Sequence, residues 1–274
     1  MKQFATKSEL FQHLIDNKSL LIAEKKATLK QADAITYVVP VSNKSGDVIK
    51  SEDFNPEDIS SIRAEVVINT TNLLDSHGDV HMKGIWKKSL SEKKLLYLLQ
   101  EHEMKFDKVI TDELKASVKK YEWKDLGISN LVGTTEALVF DAVIDSERNE
   151  YMFEQYLKGY VKNHSVGMCY VNMFLCINSD EKYCREEKDN WNKYIKEVAN
   201  KEDAEALGYF WAVTEAKVIE GSAVLRGSNY ATPTLSVTET KNIEADVITS
   251  TNEPIKITQQ KINYEYLINQ FKNK

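Results

Sequence analysis

The feature that most constrains the fold of this chain is a long apolar stretch in its middle, at residues 169–177. It is rich in β-branched and aromatic side chains, which favour a β-strand. A polar segment, residues 163–168, comes directly before it, and residues 146–162 have the apolar spacing of a helix. We therefore expect Ser165 near the start of a strand that follows a helix, close to the unencumbered backbone of Gly167.

Composition indicates a folded chain and argues against one class of partner. The 274 residues are 42% hydrophobic and 28% charged, which is typical of a globular protein and excludes a disordered one. The formal net charge is −6. Because nucleic-acid binding requires a positive surface, this charge argues against nucleic acid as the main partner.

Cysteine usage and hydropathy indicate the cellular setting. Cys169, Cys176 and Cys184 form no CxxC pair, and residues 1–20 lack the continuous apolar core of a signal peptide. These features favour reduced thiols in a cytoplasmic setting. No stretch approaches the roughly 18 apolar residues of a membrane-spanning helix, so we expect no membrane partner.

The pattern along the chain predicts three parts. Residues 1–32 read as a helical N-terminal extension that begins with a capping box at Thr6 and Glu9. Residues 33–240 read as the main domain, interrupted by a charged helical insertion at about 180–206. Residues 241–274 read as a polar C-terminal tail with a short helix. Strands are predicted at 34–41, 62–70, 95–99, 108–111, 114–121, 133–143, 209–214 and 216–226.

This order of elements predicts a mainly β fold with peripheral helices, of the α+β class. Many short strands with few helices between them suggest a closed or nearly closed β-barrel.

Two groups of residues are candidates for chemistry, and the first is His102, Ser165 and Glu220. A serine hydroxyl is a poor nucleophile until an imidazole takes its proton, and the imidazole needs a third group to orient it. Glu220 lies in an apolar strand, where an unpaired charge is costly. The alternatives are that Glu220 points outward from a half-exposed strand and that His102 is an ordinary surface histidine. Glu215 is the rival acid.

The second group is His77, Asp79 and His81. In an extended segment all three side chains would point to one face, a pattern compatible with a metal ion. Gly78 and the surrounding turn-forming residues argue against a regular strand, and the alternative is a hydrogen-bonded loop that braces the site.

Four short motifs resemble one family, the capsid maturation (prohead) proteases of tailed bacteriophages, whose fold is related to the herpesvirus assemblins. Residues 75–80 (DSHGDV), followed by Gly84, resemble the family's early Asp-x-x-Gly-Asp segment. Residues 98–102 (LLQEH) resemble its strand that ends in the catalytic histidine. Residues 164–168 (HSVGM) resemble its nucleophile motif, and residues 220–224 (EGSAV) its Glu-x-Ser strand.

The resemblance implies a serine endopeptidase of Ser-His-Glu type within a barrel of herpesvirus-protease type. It implies that Ser165 is the nucleophile, His102 the general base and Glu220 the group that orients His102. Backbone N–H groups near Val166 and Gly167, with help from Arg226, would bind the oxyanion. Two features depart from the family pattern. They are the insertion at 180–206 and a Gly-Ser-Asn at 227–229 where Pro-Ala-Asn is commoner.

The resemblance also implies a setting. The substrates would be the scaffold and capsid-protein extensions of an assembling prohead in the host cytoplasm, and the enzyme would also cleave itself. It implies no cofactor, metal, nucleic acid or membrane partner, and a homo-oligomer is compatible with it. Two other functions remain open: a catalytically silent assembly protein that keeps the barrel, and a metal-dependent hydrolase that uses His77, Asp79 and His81.

Overall fold

The computed structural model describes residues 4–29, 59–92 and 94–240 of the chain. The chain divides into two units, Met1–Thr240 and Lys241–Lys274, and only the first contains described residues. The predicted strand at 34–41 and the predicted C-terminal tail therefore lie outside the described residues.

The described residues contain both helices and strands. The helices are α1 (Lys7–Asp16), α2 (Lys18–Ala27), α3 (Lys87–Ser91), α4 (Glu150–Leu157), α5 (Arg185–Tyr194) and α6 (Lys201–Leu207). The strands are β1 (Ser61–Thr70), β2 (Asp79–His81), β3 (Leu98–Gln100), β4 (Val109–Thr111), β5 (Leu114–Glu122), β6 (Thr134–Asp145), β7 (Asn163–Ile177), β8 (Tyr209–Val224) and β9 (Thr234–Glu239).

The strands form two sheets. The first is antiparallel, in the order β5-β6-β1-β9. The second is built on β8, which pairs along its length with the antiparallel strand β7. The short strands β2 and β3 both run parallel to β8. Because β7 occupies one edge of β8, β2 and β3 follow one another along its opposite edge, and β4 extends the sheet beyond β3.

The predicted β-barrel is wrong. Within the described part of the chain the fold is α+β, and neither sheet closes on itself. A barrel needs every strand to pair on both edges. Here β2, β3 and β4 have only three residues each, and two of them share one edge of β8. The strand runs predicted at 209–214 and 216–226 are in fact one long strand.

The two sheets pack face to face around the main hydrophobic core. Burial alternates at the start of β1 and at both ends of β6, as expected for one face on a core, while 66–70 and 137–140 are buried on both faces. Gly221 of β8 lies close to the first sheet: a Cβ added to it would lie 2.6 Å from Phe140 and 2.9 Å from Ile68. The face of β8 that carries Gly221 therefore faces the first sheet, and its neighbours Glu220 and Ser222 face away from it.

The charged insertion between β7 and β8 contributes buried residues to the interior of the protein. It folds into α5, α6 and two short 3-10 turns, and its apolar side chains build a second core with β2 and β8. Trp191 and Tyr194 of α5 are buried there against Phe210 and Phe174. The insertion, despite its many charged residues, thus packs on one end of the second sheet.

The two N-terminal helices dock on the same body. The Thr6 side chain accepts a hydrogen bond from the Glu9 N–H and so caps α1, as the sequence predicts. From α2, Lys18 pairs with the buried Glu187 at 2.7 Å and Lys25 pairs with the buried Asp79 at 2.5 Å. The extension is therefore tied to the main body by charge pairs in which the acid is buried. Among the helices of the described ranges, none is long and apolar enough to cross a membrane.

The close approach of the sheets at Gly221 generates a stability prediction. Gly221→Ala is expected to lower the free energy of unfolding by about 1–3 kcal/mol, because the added methyl overpacks the core. Urea denaturation followed by circular dichroism measures this. The double variant Gly221→Ala/Phe140→Leu should recover part of the loss. Simple additivity of the two single variants would contradict the packing described here.

Candidate active site

Three neighbouring strands bring the predicted catalytic residues together. Ser165 of β7 pairs with Ser222 of β8, and Gly167 pairs with Glu220. On the other edge of β8, Leu99 of β3 also pairs with Ser222, and His102 follows shortly after β3 ends. The strands that carry Ser165 and Glu220 are therefore neighbours. Paired residues share a face, so Ser165, Glu220 and Ser222 lie on one face of the sheet.

A buried ion-pair geometry joins His102 to Glu220. The His102 Nδ1 lies 2.6 Å from Glu220 Oε1, and the two side chains are 7% and 0% exposed. A carboxylate with no exposure is tolerated only when other groups bond to it. This contact places Nδ1 against the acid, so proton transfer by this ring would use its other nitrogen, Nε2.

Gly167 makes room for this acid. A Cβ added to Gly167 would lie 1.8 Å from Glu220 Oε1, far inside any real contact. The carboxylate therefore occupies the space that a side chain at this position would fill. The sequence predicts that the Gly167 backbone helps to bind an oxyanion. The structure shows a further role for glycine at this position, because the missing side chain leaves room for the Glu220 carboxylate.

His102 sits in an unusual backbone turn. Both Glu101 and His102 have positive φ, at 52° and 61°. This conformation costs non-glycine residues on the order of 1–2 kcal/mol each. The turn is held by hydrogen bonds from the Glu101 N–H to the Ala223 carbonyl at 3.0 Å and from the His102 N–H to Ser222 Oγ at 3.1 Å. The turn ends β3 and keeps the imidazole over β8.

The Ser165 side chain lies at a crowded edge. Ser165 is 6% exposed, and a Cβ added to Gly227 would lie 3.7 Å from Ser165 Cβ. The segment after β8 thus passes directly beside the serine. Arg226, which precedes Gly227, is exposed.

Strand geometry separates the two backbone groups predicted to bind an oxyanion. The Gly221 N–H donates to the Tyr97 carbonyl on the β3 side. Gly221 therefore turns its backbone groups away from β7, and its pairing partner Val166 turns its own away from β8. The backbone groups of Glu220 point towards β7, so the N–H of its partner Gly167 lies within the hydrogen-bond ladder between β7 and β8. Of the two, Val166 is the better oxyanion donor.

A small cavity opens on the same outer edge of β7. Ser165 and Val166 form part of its wall, with Met168 and Tyr170 further along the strand. Apart from Ile68, the rest of the wall is polar and comes from Asn69, Asp75, His77, Ser228 and Asn229. The cavity therefore lies beside the serine, on the edge to which the Val166 N–H points.

A pair of buried acids stands behind this cavity. Asp79 is fully buried and accepts hydrogen bonds from Lys25 at 2.5 Å and from the Tyr170 hydroxyl at 2.8 Å. Asp75 Oδ1 accepts the backbone N–H groups of His77 and Asp79. Burial, and next the negative charge of Asp79, raise the pKa of Asp75 to about 7 despite those hydrogen bonds.

The same contacts bear on the metal hypothesis for His77, Asp79 and His81. Asp79 is engaged by Lys25 and Tyr170. His81 contacts Asn69 at Nδ1 and the Tyr170 hydroxyl at Nε2. In the described ranges no three such side chains form a group that would hold a metal ion. The expectation that no regular strand forms here is wrong for Asp79 and His81, which lie in the short strand β2. Their hydrogen bonds to Lys25, Asn69 and Tyr170 tie this strand to its neighbours.

Two rival residues point elsewhere. His164 is fully buried, donates from Nδ1 to the Thr232 carbonyl and accepts at Nε2 from the Tyr156 hydroxyl. Burial lowers the pKa of His164 to about 4, so the ring is neutral. Glu215 pairs with Lys88 at the surface. Neither residue takes part in the His102–Glu220 arrangement.

Sequence reasoning did not identify three residues that shape the site. Ser222 and Asp75 belong to two of the family-like motifs, but neither was assigned a role of its own. Lys25 belongs to a helix far away in sequence. A buried polar residue two positions after Glu220 was the available signal for Ser222, since alternate strand residues share a face. Nothing in the sequence pairs Lys25 with Asp79.

Comparison with known proteins adds no relative. No protein-family model, curated protein sequence or solved structure matches this chain.

The raised pKa of Asp75 predicts a pH-dependent stability. The folded state binds a proton at Asp75 that the unfolded chain releases above about pH 4, so this contribution to stability is lost as the pH rises to about 7. Asp75→Asn keeps the oxygen acceptor and removes the titration. Its stability relative to wild type should increase between pH 4 and pH 8 by on the order of a few kcal/mol.

Urea denaturation at several pH values checks this, with Asp107→Asn, a change at an exposed acid, as control. A difference between Asp75→Asn and wild type that stays constant with pH would contradict it.

Proposed function

We propose that this protein is a serine endopeptidase of Ser-His-Glu type. The observation that carries the proposal is the buried His102–Glu220 contact of 2.6 Å on the sheet face shared with Ser165. A fully buried carboxylate bonded to an imidazole, next to a strand serine, is the arrangement that activates a serine hydroxyl.

In the proposed reaction His102 acts as general base. Its Nε2 takes the proton of Ser165 as the hydroxyl oxygen attacks the peptide carbonyl, and it then delivers that proton to the leaving amine. Glu220 holds Nδ1 and stabilises the imidazolium that forms. The Val166 N–H, which points away from β8, is the proposed donor to the oxyanion, and Arg226 adds positive charge at the mouth of the site.

The cavity at the outer edge of β7 is the proposed site for a substrate side chain. It is walled partly by Ser165 and partly by polar residues, including Asn69 and Asn229. A substrate side chain bound there would bring its own backbone alongside Ser165. This supports cleavage within a peptide chain.

The proposed substrates are the scaffold and capsid-protein extensions of an assembling phage prohead, and the chain itself. Support for this setting comes from the four ordered motifs at 75–80, 98–102, 164–168 and 220–224. Three of these motifs supply Ser165, His102 and Glu220, and the first supplies the Asp75 turn beside the cavity. On this proposal the enzyme acts inside the prohead, in the host cytoplasm.

Ser165→Ala is expected to abolish reaction with a fluorophosphonate probe, which attaches to activated serines. It should also reduce peptide cleavage to background, since loss of the nucleophile costs about a millionfold in turnover. His102→Ala should be as damaging, because base and nucleophile act as a unit. Probe labelling detected by intact mass, with a peptide library for cleavage, measures both effects.

Ser117→Ala, in β5 of the other sheet, is the control and should behave as wild type. Retention of more than about a tenth of wild-type cleavage by Ser165→Ala would exclude it as nucleophile. A wild-type protein that neither reacts with the probe nor cleaves any peptide would favour the catalytically silent assembly protein.

Glu220→Gln is expected to reduce turnover by about ten-thousandfold, since an amide favours the wrong imidazole tautomer. The variant should therefore keep a small activity above that of Ser165→Ala. Glu215→Gln is the matched control and should be near wild type, because Glu215 pairs with Lys88 at the surface. Steady-state cleavage rates compare the three variants, and equal losses in both glutamine variants would move the acid's role away from Glu220.

A further inference from the structure

We propose that Ser222 is a positioning residue that holds both the acid and the base of the proposed catalytic centre. The catalytic consequence of this inference rests on the proposed function. The positioning of His102 and Glu220 rests only on the hydrogen bonds of Ser222. Ser222 is completely buried in β8, between Leu99 of β3 and Ser165 of β7.

The Ser222 hydroxyl makes two hydrogen bonds whose directions are fixed. Its oxygen accepts the backbone N–H of His102 at 3.1 Å. A backbone N–H only donates, so the single hydroxyl proton is free to go to Glu220 Oε2, which lies 2.6 Å away. One side chain thus bonds to the backbone of the base and to the carboxylate of the acid.

These bonds complete the surroundings of Glu220. Oε1 faces His102 Nδ1 at 2.6 Å, and Oε2 faces Ser222 Oγ at 2.6 Å. With both oxygens engaged and Gly167 leaving its space open, the carboxylate has one orientation. Because Oε1 lies against His102 Nδ1, a general-base role for this ring would fall to its other nitrogen, Nε2.

Ser222 also supports the strained turn. His102 has a φ of 61°, a conformation that its side chain disfavours. The other hydrogen bonds of this turn join backbone groups, at Glu101 to Ala223 and at Glu103 to Gln100. The bond to Ser222 Oγ is made by a side chain, so a substitution can remove it. Its loss lets the imidazole and the carboxylate shift relative to each other.

The expected result follows from this double contact. Ser222→Ala should slow fluorophosphonate labelling of Ser165, and lower kcat for peptide cleavage, by about tenfold to hundredfold with little change in KM, as for other small misplacements of catalytic groups. The downfield nuclear magnetic resonance of the His102 Nδ1 proton, assigned with His102→Gln, should shift or disappear. A serine that only filled space would not move this resonance.

Ser89 provides a matched control. Its hydroxyl also accepts a backbone N–H of β8, from Val218 at 2.9 Å, and it is a buried residue of α3 rather than of the strands that carry the catalytic groups. Ser89→Ala should lose stability, measured by thermal unfolding, yet keep the labelling rate and the His102 resonance. Ser222→Cys, which keeps nearly the same size but weakens both hydrogen bonds, tests the proposal if Ser222→Ala does not fold.

The outcomes are distinguishable. A wild-type His102 resonance and labelling rate in Ser222→Ala or Ser222→Cys would overturn the proposal. Equal slowing of labelling in Ser89→Ala would also overturn it, since general destabilisation would then explain the effect. If wild-type protein is not labelled at all, the proposed function fails, while the resonance still decides whether Ser222 positions His102.

Discussion

The structure of the site depends on one buried carboxylate. Glu220 has no exposure, so the free energy lost by removing its charge from water must be offset by hydrogen bonds and by fitted space. His102 and Ser222 supply the hydrogen bonds, and Gly167 supplies the space. These three residues come from β7, β8 and the turn after β3. Burial of this one carboxylate therefore requires β7, β8 and the turn after β3 to lie side by side.

The long strand β8 makes this arrangement possible. It is sixteen residues long and pairs with β7 on one edge, while β2 and β3 share the other edge. The Asp79 end of the sheet and the Glu220 end are thus held on one rigid element. Functional groups on strands are positioned more exactly than groups on loops. Here His102 is the exception, and its turn is secured by hydrogen bonds to β8.

The sequence was most informative where chemistry restricts burial. Glu220 in an apolar strand required a partner, and the structure supplies one in His102. The open sheets were not predictable, because the sequence does not show that β2 and β3 would pair with the same edge of β8. The turn at His102 was also hidden, since Glu101 is not a residue type that favours positive φ. Long-range pairs such as Lys25 and Asp79 leave no local pattern.

The pairing of Lys25 with Asp79 has a consequence for how the molecule assembles. Asp79 is buried beside Asp75, and the cation bonded to it comes from a helix fifty-four residues earlier. Until α2 docks, two neighbouring acids share a site closed to water without that countercharge, which disfavours the closed loop. The loop carrying Asp75 forms part of the wall beside Ser165. Docking of α2 and closure of this part of the cavity wall are therefore thermodynamically linked, so each stabilises the other.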